Sequence, residues 1–157
     1  MKFRRSVILA SVTLALVGNG CDSKPQYPLP MTQIEIGGQP FGIEIAVSDK
    51  DQETGLMHRD HLDPDHGMIF ISDHPQIQKF WNHEVHFPLD LVFLDPSGDI
   101  VSLKHMKPYD ETNVPSDAAA LYTIELLGGT ADRLKLKVGD HITLPGEVLH
   151  PVVTVSH

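Results

Sequence analysis

From residue 32 onward, short apolar runs alternate with segments rich in glycine, proline and aspartate. Runs as short as these favour β-strands over helices. Residues 32–36 and 41–47 alternate apolar with polar side chains on either side of Gly37 and Gly38, which predicts a β-hairpin. A second hairpin is predicted at 95–98, where the turn sequence Asp-Pro-Ser-Gly joins two more runs.

The remaining runs predict further strands and little helix. Ser48 offers a side chain that can cap a short helix extending to about Met57, and a second short helix is predicted at 130–134. Strands are predicted at 67–72, 79–84, 90–95, 99–106, 121–127, 141–144 and 151–155. Seven to nine short strands with one or two short helices indicate a β-rich domain, all-β or α+β, built as a small barrel or sandwich.

The first twenty residues differ from everything after them. Lys2, Arg4 and Arg5 precede an uncharged apolar run at 6–17, which is typical of a signal peptide and short for a membrane span. Cys21, the only cysteine of the chain, follows directly. The sequence therefore predicts lipidation of Cys21, as in a bacterial lipoprotein, or cleavage near residue 20 that leaves a free thiol.

A proline-rich tether is predicted at 21–31 and a single globular domain at 32–157. This organisation predicts export across the bacterial inner membrane. The expected product is a membrane-anchored lipoprotein in the periplasm or at the cell surface.

The charge of the chain limits its partners. The first twenty residues hold three basic and no acidic side chains, so the remainder carries 9 basic and 21 acidic side chains, a net charge of −12 with histidine neutral. Such a surface repels phosphate backbones and anionic headgroups. Nucleic-acid binding is not expected, and contact with a membrane is expected only through the N-terminal lipid anchor.

Polar side chains interrupt the segment 80–95, which otherwise has the composition of buried strand. An ionised carboxylate at Asp90, between Leu89 and Leu91, needs hydrogen-bond partners. Asp90 is therefore the first candidate for a binding residue. The alternative is a structural aspartate that binds backbone N–H groups or pairs with Arg59.

Several motifs follow one another in a fixed order: Gly-Leu-Met-His-Arg at 55–59, Gly-Met-Ile-Phe at 67–70, Phe-Trp at 80–81 and Pro-Leu-Asp at 88–90. His-Met-Lys-Pro at 105–108, an Ile-Glu-Leu strand, Gly-Gly and Lys-Val-Gly-Asp ending at 140 complete the set. In these motifs the chain resembles the domain of unknown function 192 family, also called uncharacterised protein family 0127. The resemblance implies a compact β-rich domain, often exported or membrane-anchored, with no established activity.

The chain departs from this family directly after the tryptophan. Relatives usually carry Met-Lys-Asn-Thr there, whereas this chain has Asn82, His83, Glu84 and Val85. The resemblance therefore carries over only at Arg59, Trp81, Pro88 and Asp90.

Two of these residues have both a binding and a structural interpretation. Arg59 could clamp a ligand carboxylate or form an internal salt bridge. Trp81 could stack on a sugar or an aromatic ligand, or it could belong to the core.

Histidines are concentrated in the middle of the chain, where seven of the ten lie between His58 and His105. Two sets could bind a divalent metal, one in the loop at 58–66 and one at 83–86; the candidate ligands are His58, His61, His83, Glu84 and His86. On a strand, Glu84 and His86 would share one face while His83 would point away. The alternative is an acidic, histidine-rich loop in solvent.

Common catalytic motifs are absent from the sequence. It has no Gly-x-Ser-x-Gly, no phosphate-binding glycine loop and no cysteine placed as a nucleophile. The leading hypothesis is a binding or accessory module for an unidentified small ligand, with a pocket lined by Arg59, Trp81, Asp90 and residues 83–86. Metal binding is one alternative. A hydrolase of envelope polysaccharide, using Glu84 and Asp90 as a carboxylate pair, is the other.

Overall fold

The computed structural model describes residues 29–151. The predicted signal peptide, Cys21, the tether up to residue 28 and the final predicted strand after residue 151 lie outside the described residues. Within 29–151, every helix is too short or too polar to cross a membrane.

Eight strands and three short helices make up this part of the chain. In chain order they are β1 (Met31–Ile36), β2 (Gln39–Ala46), α1 (Asp49–Thr54), β3 (His66–Gln76), β4 (Lys79–Phe80), β5 (Leu89–Leu94), β6 (Ile100–Met106), β7 (Val114–Pro115), β8 (Ala120–Leu127), α2 (Thr130–Leu134) and α3 (Gly146–Leu149). The prediction of a β-rich domain with seven to nine short strands is confirmed. The third helix, α3, was not predicted.

Six of the strands form one sheet in the order β1-β2-β3-β8-β5-β6, and β4 pairs with β7 in a separate two-stranded sheet. Neighbours in the large sheet are antiparallel except β2 and β3, which are parallel. The large sheet is open, with β1 and β6 at its edges. Of the two predicted architectures, residues 29–151 therefore adopt the layered one and not the closed barrel.

Both predicted hairpins are confirmed. Ile36 pairs with Gln39 across Gly37 and Gly38, whose φ angles of 57° and 75° suit a tight turn between twisted strands. The second hairpin joins β5 to β6 through the turn that ends at Gly98, with a φ angle of 90°.

Apolar side chains cover both faces of the large sheet. Ile43, Ile69 and Ile124 belong to the cluster on the first face, which packs against Ile142, Leu144 and Val148 near the C-terminus. The second face packs against Leu56, Leu62, Val85 and Phe87 from the connecting segments. On β5, Val92 and Leu94 face the first cluster while Leu89, Leu91 and Phe93 face the second, so this strand is buried on both sides.

One polar contact caps helix α1 and another holds it beside the sheet. Ser48 Oγ accepts a hydrogen bond from the Asp51 N–H at 3.1 Å, which confirms the predicted cap. The helix ends at Thr54, three residues before the predicted end. Gln52 Nε2 donates to the Ile71 carbonyl at 2.8 Å and so holds α1 beside β3.

The predicted strand at 79–84 is wrong beyond Phe80. Phe80 packs edge-on against Phe70 and Phe93, with ring centroids 5.1 and 5.9 Å away. After it, residues 81–88 form a loop held by Asn82, whose amide donates to backbone carbonyls at 87 and 107 where a strand would make ladder bonds. The predicted strand at 141–144 is likewise reduced to a single bridge between His141 and Asp99.

Candidate functional site

A pocket of about 170 Å³ opens on the second face of the sheet, between α1 and the segment around β4. Residues 52–57 form one wall and residues 78–83 the other, and Phe70, Val85, Leu89 and Glu125 complete the lining. Pockets that enclose drug-sized ligands measure roughly 300–1,000 Å³. This one fits a group the size of a side chain.

The polar residue contributed by the sheet to this pocket is Glu125. It lies on β8, with Met68 of β3 opposite it on one side and Leu91 of β5 on the other. Glu44 of β2 lies opposite Met68 as well. Because paired residues share a face of a sheet, the two glutamates flank Met68 on the second face. Glu44 is 8% exposed and Glu125 is 5% exposed.

Arg59 binds one of these glutamates and influences the other. Its Nη1 and Nη2 donate to Oε1 and Oε2 of Glu44 at 2.5 and 2.8 Å. Burial raises the pKa of Glu125 from its ordinary value of 4.5 to about 8, while the positive charge of Arg59 opposes this rise. At neutral pH Glu125 is therefore mainly a neutral carboxylic acid, able to donate one hydrogen bond and to accept others.

Asn82 lines the pocket and is fully buried. Its Nδ2 donates to the carbonyls of Phe87 and Lys107 at 3.2 and 2.6 Å. A rotated amide would place Oδ1 against these two carbonyl oxygens, and two acceptors cannot form a hydrogen bond. The amide nitrogen must therefore face the carbonyls. Among residues 29–151, Oδ1 has no hydrogen-bond partner. Because buried polar atoms are almost always paired, this oxygen is an acceptor suited to a ligand.

Trp81 stands at the rim of the pocket and is 48% exposed. Its neighbour Phe80 is the aromatic ring that packs into the core, and this leaves the indole of Trp81 partly in solvent. His83 also lines the pocket, with Nδ1 2.8 Å from Oε1 of Glu111. Of the predicted binding residues, Trp81 and His83 lie at the pocket itself.

The other predicted residues of this segment pair outside the pocket lining. Glu84 Oε2 lies 3.0 Å from Nδ1 of His58, and its Oε1 lies 3.8 Å from Nε2 of His83. His86 Nε2 lies 3.1 Å from the carbonyl oxygen of Asp60. The expected alternation along a strand is wrong here, because this segment is a loop and Glu84 has a φ angle of 50°.

Of the predicted metal ligands, Glu84 lies near His58 and His83, but His61 and His86 pair elsewhere. His61 lies 3.6 Å from Asp63 in its own loop, while His58 pairs with Glu84. Within the part of the chain that the structure describes, no group of three or more histidine, cysteine, aspartate or glutamate side chains is placed to hold a metal ion.

Asp90 lies on the opposite face of the sheet. It pairs in register with Leu126 and His105, and its side chain is 1% exposed. Oδ1 lies 2.6 Å from Nδ1 of His105, and Oδ2 accepts the N–H of Ala131 at 2.7 Å. Asp90 therefore links β5 to β6 and to α2, and the pairing with Arg59 suggested by the sequence is wrong.

Three polar residues of this region were missed by the sequence interpretation: Glu44, Asn82 and Glu125. The two glutamates each sit between apolar residues of a strand, as Asp90 does, so the same pattern could have found them. Asn82 was noted only as a departure from the family motif.

Comparison with known proteins gives a family and a fold. The family model DUF192, described as Uncharacterized ACR, matches residues 32–144. A protein of unknown function from Novosphingobium aromaticivorans is 31% identical with a TM-score of 0.70; the match covers 77% of this chain and 90% of that one. A candidate transcription regulator from Sinorhizobium meliloti is 29% identical with a TM-score of 0.66, covering 71% and 89% respectively. No curated protein matches the sequence.

Proposed function

The chain belongs to the DUF192 family, and on that footing we propose that it is a ligand-binding module whose site is the pocket below Trp81. The observation that carries this proposal concerns Asn82, a residue of the pocket lining, whose buried Oδ1 has no hydrogen-bond partner among residues 29–151. A bound ligand that donates an N–H or O–H group would satisfy it.

The composition of the pocket supports binding of a small molecule or of one side chain of a larger partner. The apolar side chains of Leu56, Phe70 and Leu89 line the pocket together with two buried polar residues, Asn82 and Glu125. Such sites combine an apolar lining with a few polar groups that orient the ligand. Trp81 adds a flat, partly exposed surface at the rim, which suits stacking.

The cellular setting that we propose is outside the inner membrane. A basic and then apolar segment at 1–20, Cys21 after it and a proline-rich tether to residue 31 support export followed by lipid anchoring. Intact mass of the membrane-fraction protein should show a diacylglyceryl or triacyl addition at Cys21, and the Cys21→Ser variant should lose both the addition and the membrane association. An unmodified mass starting at residue 21 would refute the anchor.

The binding proposal is tested by screening small fragments against melting temperature. A ligand at a hundred times its Kd adds about 2.7 kcal/mol to native-state stability. We expect fragments that raise the melting temperature of the native chain to lose their effect in Trp81→Ala. Tyr109→Ala is the matched control, because Tyr109 is also an exposed aromatic residue but does not line the pocket. Equal shifts in both variants would place the ligand elsewhere and overturn the proposal.

A further inference from the structure

The two buried polar groups of the pocket have a common chemical preference. Building on the proposed binding function, we infer that the pocket takes a primary alkylammonium group, either from a free amine or from a lysine side chain.

Two buried residues of the pocket lining, Asn82 and Glu125, carry hydrogen-bond acceptors. Asn82 Oδ1 is an acceptor only, and both N–H groups of the same amide are engaged by carbonyls at 87 and 107. The carboxyl of Glu125 becomes a pure acceptor once it ionises. An ammonium group carries three donors and no acceptor, so it matches both residues at once.

The charges around Glu125 also favour a cationic ligand. Arg59 directs Nη1 and Nη2 to the two carboxylate oxygens of Glu44. The positive charge of the guanidinium lowers the pKa of Glu125, and burial, which raises this pKa, outweighs that charge. A cation entering from the pocket would stabilise the ionised form of Glu125 from its other side. A neutral ligand offers no such compensation.

Aromatic rings form part of the pocket wall. Phe70, Phe80 and Trp81 all line the pocket. A cation within about 6 Å of an aromatic ring is attracted by the electron density of the ring face, most strongly for tryptophan. Aromatic side chains together with a carboxylate form a common recognition chemistry for ammonium groups.

The remaining charged groups of the lining do not oppose this assignment. Glu53 on α1 and Lys79 on β4 are both exposed and of opposite sign, and His83 is half-buried. Behind the floor, the Glu44 and Arg59 side chains neutralise one another. Among the lining residues, Glu125 is the one ionisable side chain that is buried.

The test uses Trp81, the only tryptophan of the chain, as a fluorescent reporter. The probes are n-butylammonium and its neutral analogue n-butanol, titrated into the protein at pH 7 and pH 9. We expect saturable binding of n-butylammonium that is about tenfold tighter at pH 9, because a carboxyl with a pKa of about 8 must lose its proton to accept the cation. We expect n-butanol to bind at least tenfold more weakly at pH 9.

Matched variants assign the effect to one carboxylate. Glu125→Gln should lose the preference for the cation and its pH dependence, whereas Glu147→Gln, which removes an exposed acid outside the pocket lining, should keep both. The pH dependence of the native chain gives the same information if Glu125→Gln does not fold. The affinities of 1,4-diaminobutane and Nα-acetyl-lysine N-methylamide are then compared. Tighter binding of the first indicates a free amine as the ligand, and tighter binding of the second indicates a lysine side chain of a protein.

The outcomes separate the ligand class from the binding function. Equal affinity for n-butylammonium and n-butanol, or unchanged cation binding in Glu125→Gln, would overturn the ammonium assignment. If n-butylammonium fails to bind while other fragments bind in a Trp81-dependent manner, the ligand class is wrong and the binding function stands. If no fragment binds, both are wrong.

Discussion

Arg59 and Glu44 form a two-point ion pair on the second face of the sheet, with Nη to Oε distances of 2.5 and 2.8 Å and side chains that are 18% and 11% exposed. Glu44 lies opposite Met68 on the neighbouring strand, and Met68 lies opposite Glu125 on the strand after that. The ion pair therefore couples the loop after α1 to the floor of the pocket.

Breaking this ion pair should lower the free energy of unfolding more than breaking an exposed ion pair does. Glu44→Gln leaves the guanidinium of Arg59 without its carboxylate, and the loss of one partner of a buried pair typically costs about 3–5 kcal/mol. Urea unfolding monitored by far-UV circular dichroism measures the change. Lys104→Met is the control, because the side chains of the Lys104–Asp117 pair are more exposed, at 30% and 62%, and the pair is expected to contribute little to stability. Similar losses in both variants would contradict the buried character of the Arg59–Glu44 pair.

Glu125→Gln should change how stability depends on pH. The folded-state pKa of Glu125 is about 8, above its ordinary value of 4.5, so between these values the native state holds a proton that the unfolded state has released. The stability of the native chain therefore falls as pH rises through this window, by as much as about 1.4 kcal/mol per pH unit from this group. The variant lacks this contribution.

The measurement is the difference in unfolding free energy between the native chain and Glu125→Gln at pH 5, 6.5 and 8. We expect the variant to gain stability relative to the native chain across this series. A difference that stays constant with pH would mean that Glu125 is ionised in the native state throughout.

Asp90→Asn should weaken the scaffold and leave the pocket intact. One side-chain oxygen is replaced by an NH₂ group that cannot accept from Ala131 N–H or His105, so we expect a loss of about 1–3 kcal/mol. The exposed pair of Asp99 with His141, at 2.8 Å, supplies the control variant Asp99→Asn, for which little change is expected. Loss of fragment binding in Asp90→Asn without loss of stability would instead make Asp90 part of the site.

Asn82→Ala should lower both stability and binding. The substitution removes the two hydrogen bonds to the carbonyls of Phe87 and Lys107, at a cost of about 1–3 kcal/mol, and it removes the free acceptor. Trp81→Ala should remove binding with a much smaller loss of stability, because Trp81 is half exposed. Chemical unfolding and fragment binding, measured on both variants, separate these two roles. Equal stability of the two variants would show that Asn82 does not hold the loop.

Local sequence signals predicted both hairpins and the first two helices, because the residues that decide them are adjacent in the chain. Gly37 and Gly38 set the first turn, and Ser48 caps α1. The loop after Phe80 could not be predicted in this way. It is held by the side-chain amide of Asn82, which donates to the carbonyls of Phe87 and Lys107, and Lys107 is distant in the sequence. Aromatic and apolar composition alone made this loop resemble a strand.

The pocket floor depends on strand order, which no local pattern fixes. Glu44 and Glu125 are far apart in sequence and become neighbours of Met68 only because β3 lies between β2 and β8. Asp90 has the same sequence pattern as Glu125, an acid between apolar residues, yet the register places it on the other face. Sequence patterning found buried acids but could not assign them to a common site.

The most direct test of the binding site is to map amide chemical shifts of the ¹⁵N-labelled protein on addition of a fragment that raises its melting temperature. The pocket below Trp81 predicts perturbations concentrated at residues 52–57, at residues 78–83 and at Glu125. Perturbations concentrated instead at the open groove formed by Gly37, Gly38 and residues 140–143, with the amides of residues 78–83 unchanged, would contradict it.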